Sequence, residues 1–151
     1  MRNILIVCTA NICRSPMAEI VANHKAQQRG LRLHFDSAGT HAAKGLAQPD
    51  SRAKTVLEKR GYKIKKGRSR KIDPKDFERF DLILAMDRTH LDTLQKLCPS
   101  QHQHKLKLFL ASAKSLGTDE VADPYYGNLA GFERVLDLCE AGADHWLLQL
   151  A

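Results

Sequence analysis

Near the start of the chain, a cysteine and an arginine stand at a spacing that suits phosphate chemistry. Cys8 follows a branched apolar run at residues 4–7, and Arg14 comes six residues later. A loop between a buried strand and a helix N-terminus turns backbone amides inward and makes a positive site for a tetrahedral oxyanion. The same field stabilises a thiolate at Cys8, and the planar fork of Arg14 binds two oxygens. The pair predicts a nucleophile at the floor of an anion site.

Two neighbouring elements must position this loop. Residues 4–7 predict a strand buried on both faces, and we expect Ser15 to cap the following helix with Pro16 in the first helical position. The alternative for Cys8 is a small buried hydrophobe at a strand end, which is the commoner place for a free cysteine. The order of strand, loop, arginine, cap and proline favours the nucleophile.

Strand-like and helix-like segments alternate along the rest of the chain, which is typical of an α/β fold. We expect a single-domain, doubly wound four-stranded parallel sheet over residues 1–151, with helices on both faces and an N-terminal phosphate-binding loop at the carboxyl ends of the strands. The later strands are predicted at residues 31–37, 80–86 and 106–110. Helices are predicted from the loop to Gly30, at 49–60 before Gly61, and at 88–97. A last helix carries one apolar stripe of Phe132, Val135, Leu136, Cys139, Ala143, Trp146 and Leu147.

Composition points to a small protein of the cell interior. No run approaches the roughly 20 apolar residues of a membrane span, and no secretion signal is recognisable, so we expect a cytoplasmic protein without a membrane partner. Four cysteines at irregular spacing predict thiols rather than a disulfide framework. Cys8 and Cys13 are nevertheless close enough in sequence to pair on oxidation.

A basic segment carries much of the net charge of +7. Nine Lys and Arg residues lie between Lys59 and Lys75, against one acid, Asp73. Three interpretations stay open: a rim that steers acidic phosphorylated substrates, a nucleic-acid-binding patch, and a solvated loop. Because no aromatic interleaving or nucleic-acid motif accompanies the segment, we expect no nucleic-acid partner.

Cys98, His102 and His104 are three potential metal ligands. They lack the paired or helical spacing of zinc sites, so we expect an exposed loop and no metal there. The predicted thiolate chemistry needs no cofactor, because Arg14 and the loop amides neutralise a transferring phosphoryl group.

Displacement at phosphorus also needs a general acid for the leaving oxygen, and Asp123 is the candidate. Pro124 restricts the backbone after it, and Tyr125 and Tyr126 are placed to wall a cleft beside an aromatic substrate. Taken alone, this spacing equally fits a surface turn.

Four blocks together resemble the low molecular weight protein tyrosine phosphatase family, over essentially the whole chain. They occur in the expected order as VCTANICRSPMAE at 7–19, DSAGT at 36–40, DLILAMD at 81–87 and DPYYG at 123–127. The resemblance implies a protein tyrosine phosphatase that hydrolyses phosphotyrosine and small aryl phosphates through a phosphocysteine at Cys8. It implies that Asp123 protonates the leaving phenolate and then activates water.

The resemblance also implies roles for neighbouring residues. The substrate would be contacted by Thr9, Ala10, Asn11, Ile12, Cys13, Ser15, Tyr125 and Tyr126. Ser15 would donate to the Cys8 sulfur in addition to capping its helix, and Ser37 would brace a left-handed Asn11. Asp87 would cap a helix or polarise the site, and Cys13 would protect Cys8 by forming a disulfide. The implied partner is a phosphotyrosine protein, with a tyrosine kinase among the candidates. We expect a monomer and leave weak self-association open.

Three positions depart from the family pattern. Ala10 replaces a usual glycine, so it either fits an ordinary backbone conformation or perturbs the loop. Gly67 lies near a usual histidine that helps to brace the loop asparagine, and residues 41–43 replace a bulky aromatic wall. These changes leave the brace in question and predict a wider cleft.

Two rival functions use the same anion site. An arsenate reductase would need resolving thiols, for which Cys98 and Cys139 are available but do not form a close pair in sequence. A phosphate-dependent binding module would hold a phosphorylated partner without turnover, and the presence of both Cys8 and Asp123 argues against it.

Overall fold

Four parallel strands form the central sheet of the computed structural model, which describes residues 2–111 and 114–151. In chain order the elements are β1 (Arg2–Cys8), α1 (Arg14–Gln28), β2 (Leu33–Gly39), β3 (Ala47–Gln48), α2 (Ser51–Lys59), β4 (Gly67–Arg68), α3 (Asp76–Arg79), β5 (Leu82–Ala85), α4 (Arg88–Leu97), a 3₁₀ helix (Ser100–Lys105), β6 (Leu106–Leu108), a second 3₁₀ helix (Lys114–Leu116) and α5 (Leu129–Leu150). The strand order β2-β1-β5-β6 confirms the predicted fold class.

Strand β1 lies inside the sheet, which explains its apolar run. It pairs in parallel with β2 and with β5, and Cys8 at its carboxyl end is in register with Gly39. Leu5, Ile6 and Val7 have no exposed surface. A strand covered on both faces needs apolar side chains at every position, and β1 supplies them.

Alternating side chains of β1 divide the interior into two cores. Ile4 and Ile6 belong to the core on the face covered by α1 and α5, while Leu5 and Val7 belong to the other. The predicted stripe of the last helix is confirmed, since all of its residues are buried in α5: Phe132, Val135, Leu136, Cys139, Ala143, Trp146 and Leu147.

Helix positions agree well with the predictions, apart from their ends. The segment 88–97 is α4 as predicted, and Gly30 and Gly61 take positive φ angles of 65° and 89° just after α1 and α2. The predicted loop at His102 and His104 is instead a 3₁₀ helix. The short antiparallel pair of β3 and β4, with α2 between them in the chain, was not predicted, because two-residue strands have no periodicity to detect.

The predicted cap of α1 is wrong. The helix begins at Arg14, so Ser15 and Pro16 are its second and third residues, and the N-cap residue Cys13 makes no side-chain cap bond. Proline is tolerated there because the first four amides of a helix have no partner within it. The hydroxyl of Ser15 is thereby left free for another contact.

None of the helices in the described ranges is both long and apolar enough to cross a membrane.

Candidate active site

The thiol of Cys8 lies at the carboxyl end of β1 and receives two hydrogen-bonding groups. Ser15 Oγ is 2.9 Å from Cys8 Sγ, and the backbone amide of Asn11 donates to the same sulfur over 3.3 Å. We call residues 8–14 the cysteine loop. Asn11 belongs to it, and Ser15 follows it directly in α1.

Asn11 holds the cysteine loop in shape. Its φ of 59° is the only positive φ of a non-glycine residue in the described part of the chain, so Ala10 takes an ordinary backbone conformation. The buried side-chain amide of Asn11 donates to Ser15 Oγ and to Ser37 Oγ, each over 2.9 Å. Its carbonyl oxygen accepts from the backbone amide of Arg70 over 3.0 Å. Asparagine tolerates the left-handed region better than most residues, and these bonds stabilise it there.

Gln48, in β3, completes the support of Asn11. Its Nε2 donates to the backbone oxygen of Asn11 over 2.9 Å and to Oδ1 over 3.1 Å. A Cβ on Gly67 would lie 3.1 Å from Gln48 Oε1, so the glycine leaves room for the glutamine side chain. Asn11 is therefore supported by Gln48, and not by a histidine near position 67.

Glu19 extends this support below the loop. Ser37 Oγ donates to Glu19 Oε1 over 2.6 Å while it accepts from Asn11. Burial raises the pKa of Glu19 to about 7, and the neighbouring carboxylate of Asp36 adds to the increase.

Arg14 is buried and held by groups from three parts of the chain. Its Nη1 donates to Asp87 Oδ2 over 2.9 Å and to the backbone oxygen of Val121 over 2.8 Å. Its Nη2 lies 3.8 Å from Asp123 Oδ2. Asp87 also caps α4 by accepting from the amide of His90, which confirms the capping role considered for it.

His90 contacts the cysteine loop from α4. Its Nε2 is 2.7 Å from Thr9 Oγ1 and 3.4 Å from Arg14 Nη2, and its Nδ1 faces Asp87 Oδ1 at 3.1 Å. Burial, together with the neighbouring Arg14 guanidinium, lowers the pKa of His90 to about 4. The imidazole is therefore neutral, and a proton on Nδ1 lets Nε2 accept from the Thr9 hydroxyl.

Asp123 and the two tyrosines lie on a loop at the rim of the cleft. We call residues 121–127 the aspartate loop. The Asp123 side chain is half exposed, and its Oδ1 accepts from the amide of Tyr125 over 3.0 Å. The rings of Tyr125 and Tyr126 meet edge to face at 5.0 Å, and Tyr126 is 95% exposed. An exposed aromatic pair beside a carboxylate offers a wall for an aromatic ligand.

One cleft of about 330 Å³ brings most of the predicted residues together. It is lined by Cys8, Thr9, Ala10, Asn11, Ile12, Cys13, Arg14, Leu46, Asp123, Tyr125 and Tyr126. Ser15, Ser37 and Asp87 are not part of the lining and lie behind it as supports. Leu46 is part of the lining, whereas residues 41–43 are not.

The other thiols differ from Cys8 in their surroundings. All four cysteines are free, and burial together with the Asp50 carboxylate raises the pKa of Cys13 to about 12. Burial also raises the pKa of Cys98 and of Cys139. Cys98 and Cys139 belong to the cores on opposite faces of the sheet, so they cannot form the resolving pair that an arsenate reductase needs.

Part of the basic segment is structural. Arg60 binds Glu133, Asp137 and Glu140 of α5, and Arg70 binds Asp76 and Asp36. These two arginines are therefore occupied in joining elements of the fold rather than in forming a substrate rim.

The fold and the cleft define a class of α/β protein in which a cysteine and an arginine share one oxyanion-binding loop. Residues 3–151 match the model of the family described as low molecular weight phosphotyrosine protein phosphatase, and the chain belongs to that family. The family and the enzyme class predicted from the four sequence blocks are confirmed.

Relatives with this description are similar along most of their length. The low molecular weight phosphotyrosine protein phosphatase of Schizosaccharomyces pombe is 40% identical over 132 residues, which cover 85% of this chain and 84% of the yeast protein. The low molecular weight protein-tyrosine-phosphatase of Streptomyces coelicolor is 38% identical over 148 residues, covering 93% and 88%. The crystal structure of a low molecular weight phosphotyrosine phosphatase from Vibrio cholerae O395 is 40% identical, with a TM-score of 0.92 and 99% of each chain covered.

Proposed function

We propose that Cys8 is the nucleophile, Arg14 the phosphate-binding residue and Asp123 the general acid of a phosphotyrosine hydrolase. The observation that carries this proposal is the convergence of these three side chains on one cleft. Cys8 and Arg14 are buried in the lining of this cleft, and the Asp123 side chain is half exposed.

In the first half of the reaction, the Cys8 thiolate attacks phosphorus and an S–P bond forms as the P–O bond to the phenol breaks. Asp123 gives its proton to the departing oxygen, so a neutral phenol leaves. Arg14 and the amides of the cysteine loop bind the equatorial phosphoryl oxygens, whose charge they stabilise in the transition state. The Asn11 amide and the Ser15 hydroxyl stabilise the thiolate before attack.

In the second half, Asp123 takes a proton from water and the resulting hydroxide attacks phosphorus. The S–P bond breaks, inorganic phosphate leaves, and Cys8 returns to the thiolate. Asp123 regains its proton in the same step, so the cycle consumes only water.

The proposed substrates are phosphotyrosine proteins and small aryl phosphates. Tyr125, Tyr126 and Leu46 line the mouth of the cleft and would contact an aromatic ring. A tyrosine kinase is one candidate partner, and the enzyme is proposed to act as a monomer.

Steady-state hydrolysis of p-nitrophenyl phosphate and of a phosphotyrosine peptide, with and without chelator, tests the proposal. Cys8→Ser should abolish turnover, and Asp123→Ala should lower kcat by about 100-fold or more. Cys98→Ser and Asp92→Ala are the matched controls, since both residues lie outside the cleft. Phosphopeptide binding without hydrolysis by the reduced wild-type protein would instead support the binding module.

A further inference from the structure

We propose that Arg52 is a positioning residue that holds the aspartate loop so that Asp123 reaches the leaving group. This inference rests on the proposed role of Asp123 as the general acid. Arg52 lies in the first turn of α2 and is not part of the cleft lining. No local sequence pattern singles it out.

Arg52 joins the aspartate loop to the start of α2. Its Nη1 donates to the backbone oxygen of Tyr125 over 2.6 Å and to that of Gly127 over 3.3 Å. On its other side, Nε and Nη2 donate to the two oxygens of Asp50 over 3.1 and 3.3 Å. A planar guanidinium can serve carbonyls and a carboxylate at once, whereas a lysine ammonium cannot make the same fork.

Aromatic rings fix the plane of this guanidinium. Its central carbon lies 4.7 Å from the ring centroid of Phe132 and 5.2 Å from that of Tyr125. Phe132 is fully buried near the start of α5, so it gives the arginine a rigid surface on which to rest.

The contact at Tyr125 matters because that residue orients the proposed acid. The amide of Tyr125 donates to Asp123 Oδ1, while the carbonyl of the same residue accepts from Arg52. On the other side of Asp123, the carbonyl of Val121 accepts from Arg14. Two arginines therefore hold backbone oxygens two residues before and two residues after the carboxylate.

Asp50 connects this arrangement to the cysteine loop. Its backbone amide donates to the oxygen of Ile12 over 2.7 Å, and its side chain caps α2 by accepting from the amide of Arg52. The cysteine loop and the aspartate loop are therefore both bonded to the start of α2. The distance between the thiol and the carboxylate depends on that shared anchor.

A displaced acid should affect some substrates more than others. Phenyl phosphate has a more basic leaving oxygen than p-nitrophenyl phosphate, so its cleavage depends more strongly on proton donation. Loss of Arg52 should therefore lower kcat/KM for phenyl phosphate at least about tenfold more than kcat/KM for p-nitrophenyl phosphate, because kcat/KM reports the step in which the phenol leaves. A purely structural role would lower both by the same factor.

The test compares both substrates in Arg52→Ala, Arg52→Lys, Asp123→Ala and the double variant R52A/D123A. We expect the leaving-group effect in Arg52→Ala and a smaller one in Arg52→Lys. Adding Arg52→Ala to Asp123→Ala should change kcat less than about twofold, because residues that act through each other are not additive. Arg60→Ala is the matched control, since Arg60 also joins the α2 region to α5 but does not touch the aspartate loop.

Equal losses on both substrates, or a further large loss in the double variant, would overturn the inference and place the effect on the cysteine loop. If Asp123→Ala itself showed no leaving-group effect, the general-acid assignment would fail instead. Thermal unfolding identifies a variant that has lost its fold, and in that case Arg52→Lys decides the question.

Discussion

The imidazole Nε2 of His90 lies 2.7 Å from the hydroxyl of Thr9, although the two residues are 81 positions apart. This contact closes a ring of four polar side chains. Arg14 donates to Thr9 over 3.3 Å, Thr9 contacts His90, His90 faces Asp87 at 3.1 Å, and Asp87 accepts from Arg14 over 2.9 Å. The guanidinium is thus oriented before any phosphate arrives.

Removing either side of the Thr9–His90 contact should weaken phosphate binding by Arg14. We expect His90→Ala and Thr9→Val each to lower kcat/KM about tenfold, which corresponds to the loss of roughly one hydrogen bond near a charged group. The double variant should be little worse than either single one. Steady-state kinetics and inhibition by inorganic phosphate measure this, with the exposed His104→Ala as control.

The ratio of wild-type to His90→Ala activity should not change with pH between about 5 and 8. The pKa of His90 is lowered to about 4, so the imidazole stays neutral over that range. An inflection in the ratio near pH 6.5 would show that His90 titrates as an ordinary exposed histidine.

Ser15→Ala should slow the reaction of Cys8 with iodoacetate at pH 6 by about tenfold. The variant removes a hydroxyl that lies 2.9 Å from the sulfur and leaves the Asn11 amide in place. Ser100→Ala, on an exposed 3₁₀ helix, is the control. Unchanged alkylation would mean that Ser15 serves only to hold the Asn11 side chain.

Gly39→Ala should destabilise the protein by about 1–3 kcal/mol and reduce activity, because the added methyl group overpacks the site. A Cβ at Gly39 would lie 2.4 Å from the backbone oxygen of Thr9, so the cysteine loop would have to move. Gly131→Ala, in α5, provides the contrast, since the nearest atom to its added Cβ would be Pro124 Cβ at 3.8 Å. Urea unfolding should show the control to be neutral or slightly stabilised.

The free energy of unfolding should depend on pH because of Glu19. Its pKa is about 7 in the folded chain against an ordinary 4.5, so the folded state holds the proton more tightly. The resulting contribution to the free energy of unfolding is complete below pH 4.5 and is lost as pH rises through 7, by up to about 3 kcal/mol. Glu19→Gln removes this loss.

Unfolding of wild type, Glu19→Gln and the exposed control Glu58→Gln at pH 4.5, 6 and 8 measures the effect. The wild type should lose stability relative to Glu19→Gln as pH rises, and Glu58→Gln should follow the wild type. A constant difference between wild type and Glu19→Gln would contradict the assigned burial of the carboxyl group.

Local patterns were enough to predict the cysteine loop, the sheet and the last helix. The apolar run before Cys8 predicted β1, and the stripe from Phe132 to Leu147 predicted α5. Ser15 was predicted both to cap the helix and to contact the Cys8 sulfur; the structure shows the sulfur contact and not the cap. A tertiary contact overrode the local preference there.

The supports of the site were not predicted from residue patterns. Gln48 reaches Asn11 across 37 positions and Arg52 reaches Tyr125 across 73, so no spacing along the chain links the partners. Such contacts depend on where loops meet after the sheet has formed. Ser37, Asp87 and the contact of Ser15 with the Cys8 sulfur were anticipated, through resemblance to the family.

We expect the residues at positions 67 and 48 to vary together among members of the family. A side chain at position 67 would meet the Gln48 side chain at 3.1–3.3 Å, so relatives with a large residue there should carry a shorter residue at the position of Gln48. In those relatives the larger residue itself can supply the donor to the loop asparagine. An alignment of the family should therefore show these two positions covarying, so that the loop asparagine is supported either from position 48 or from position 67.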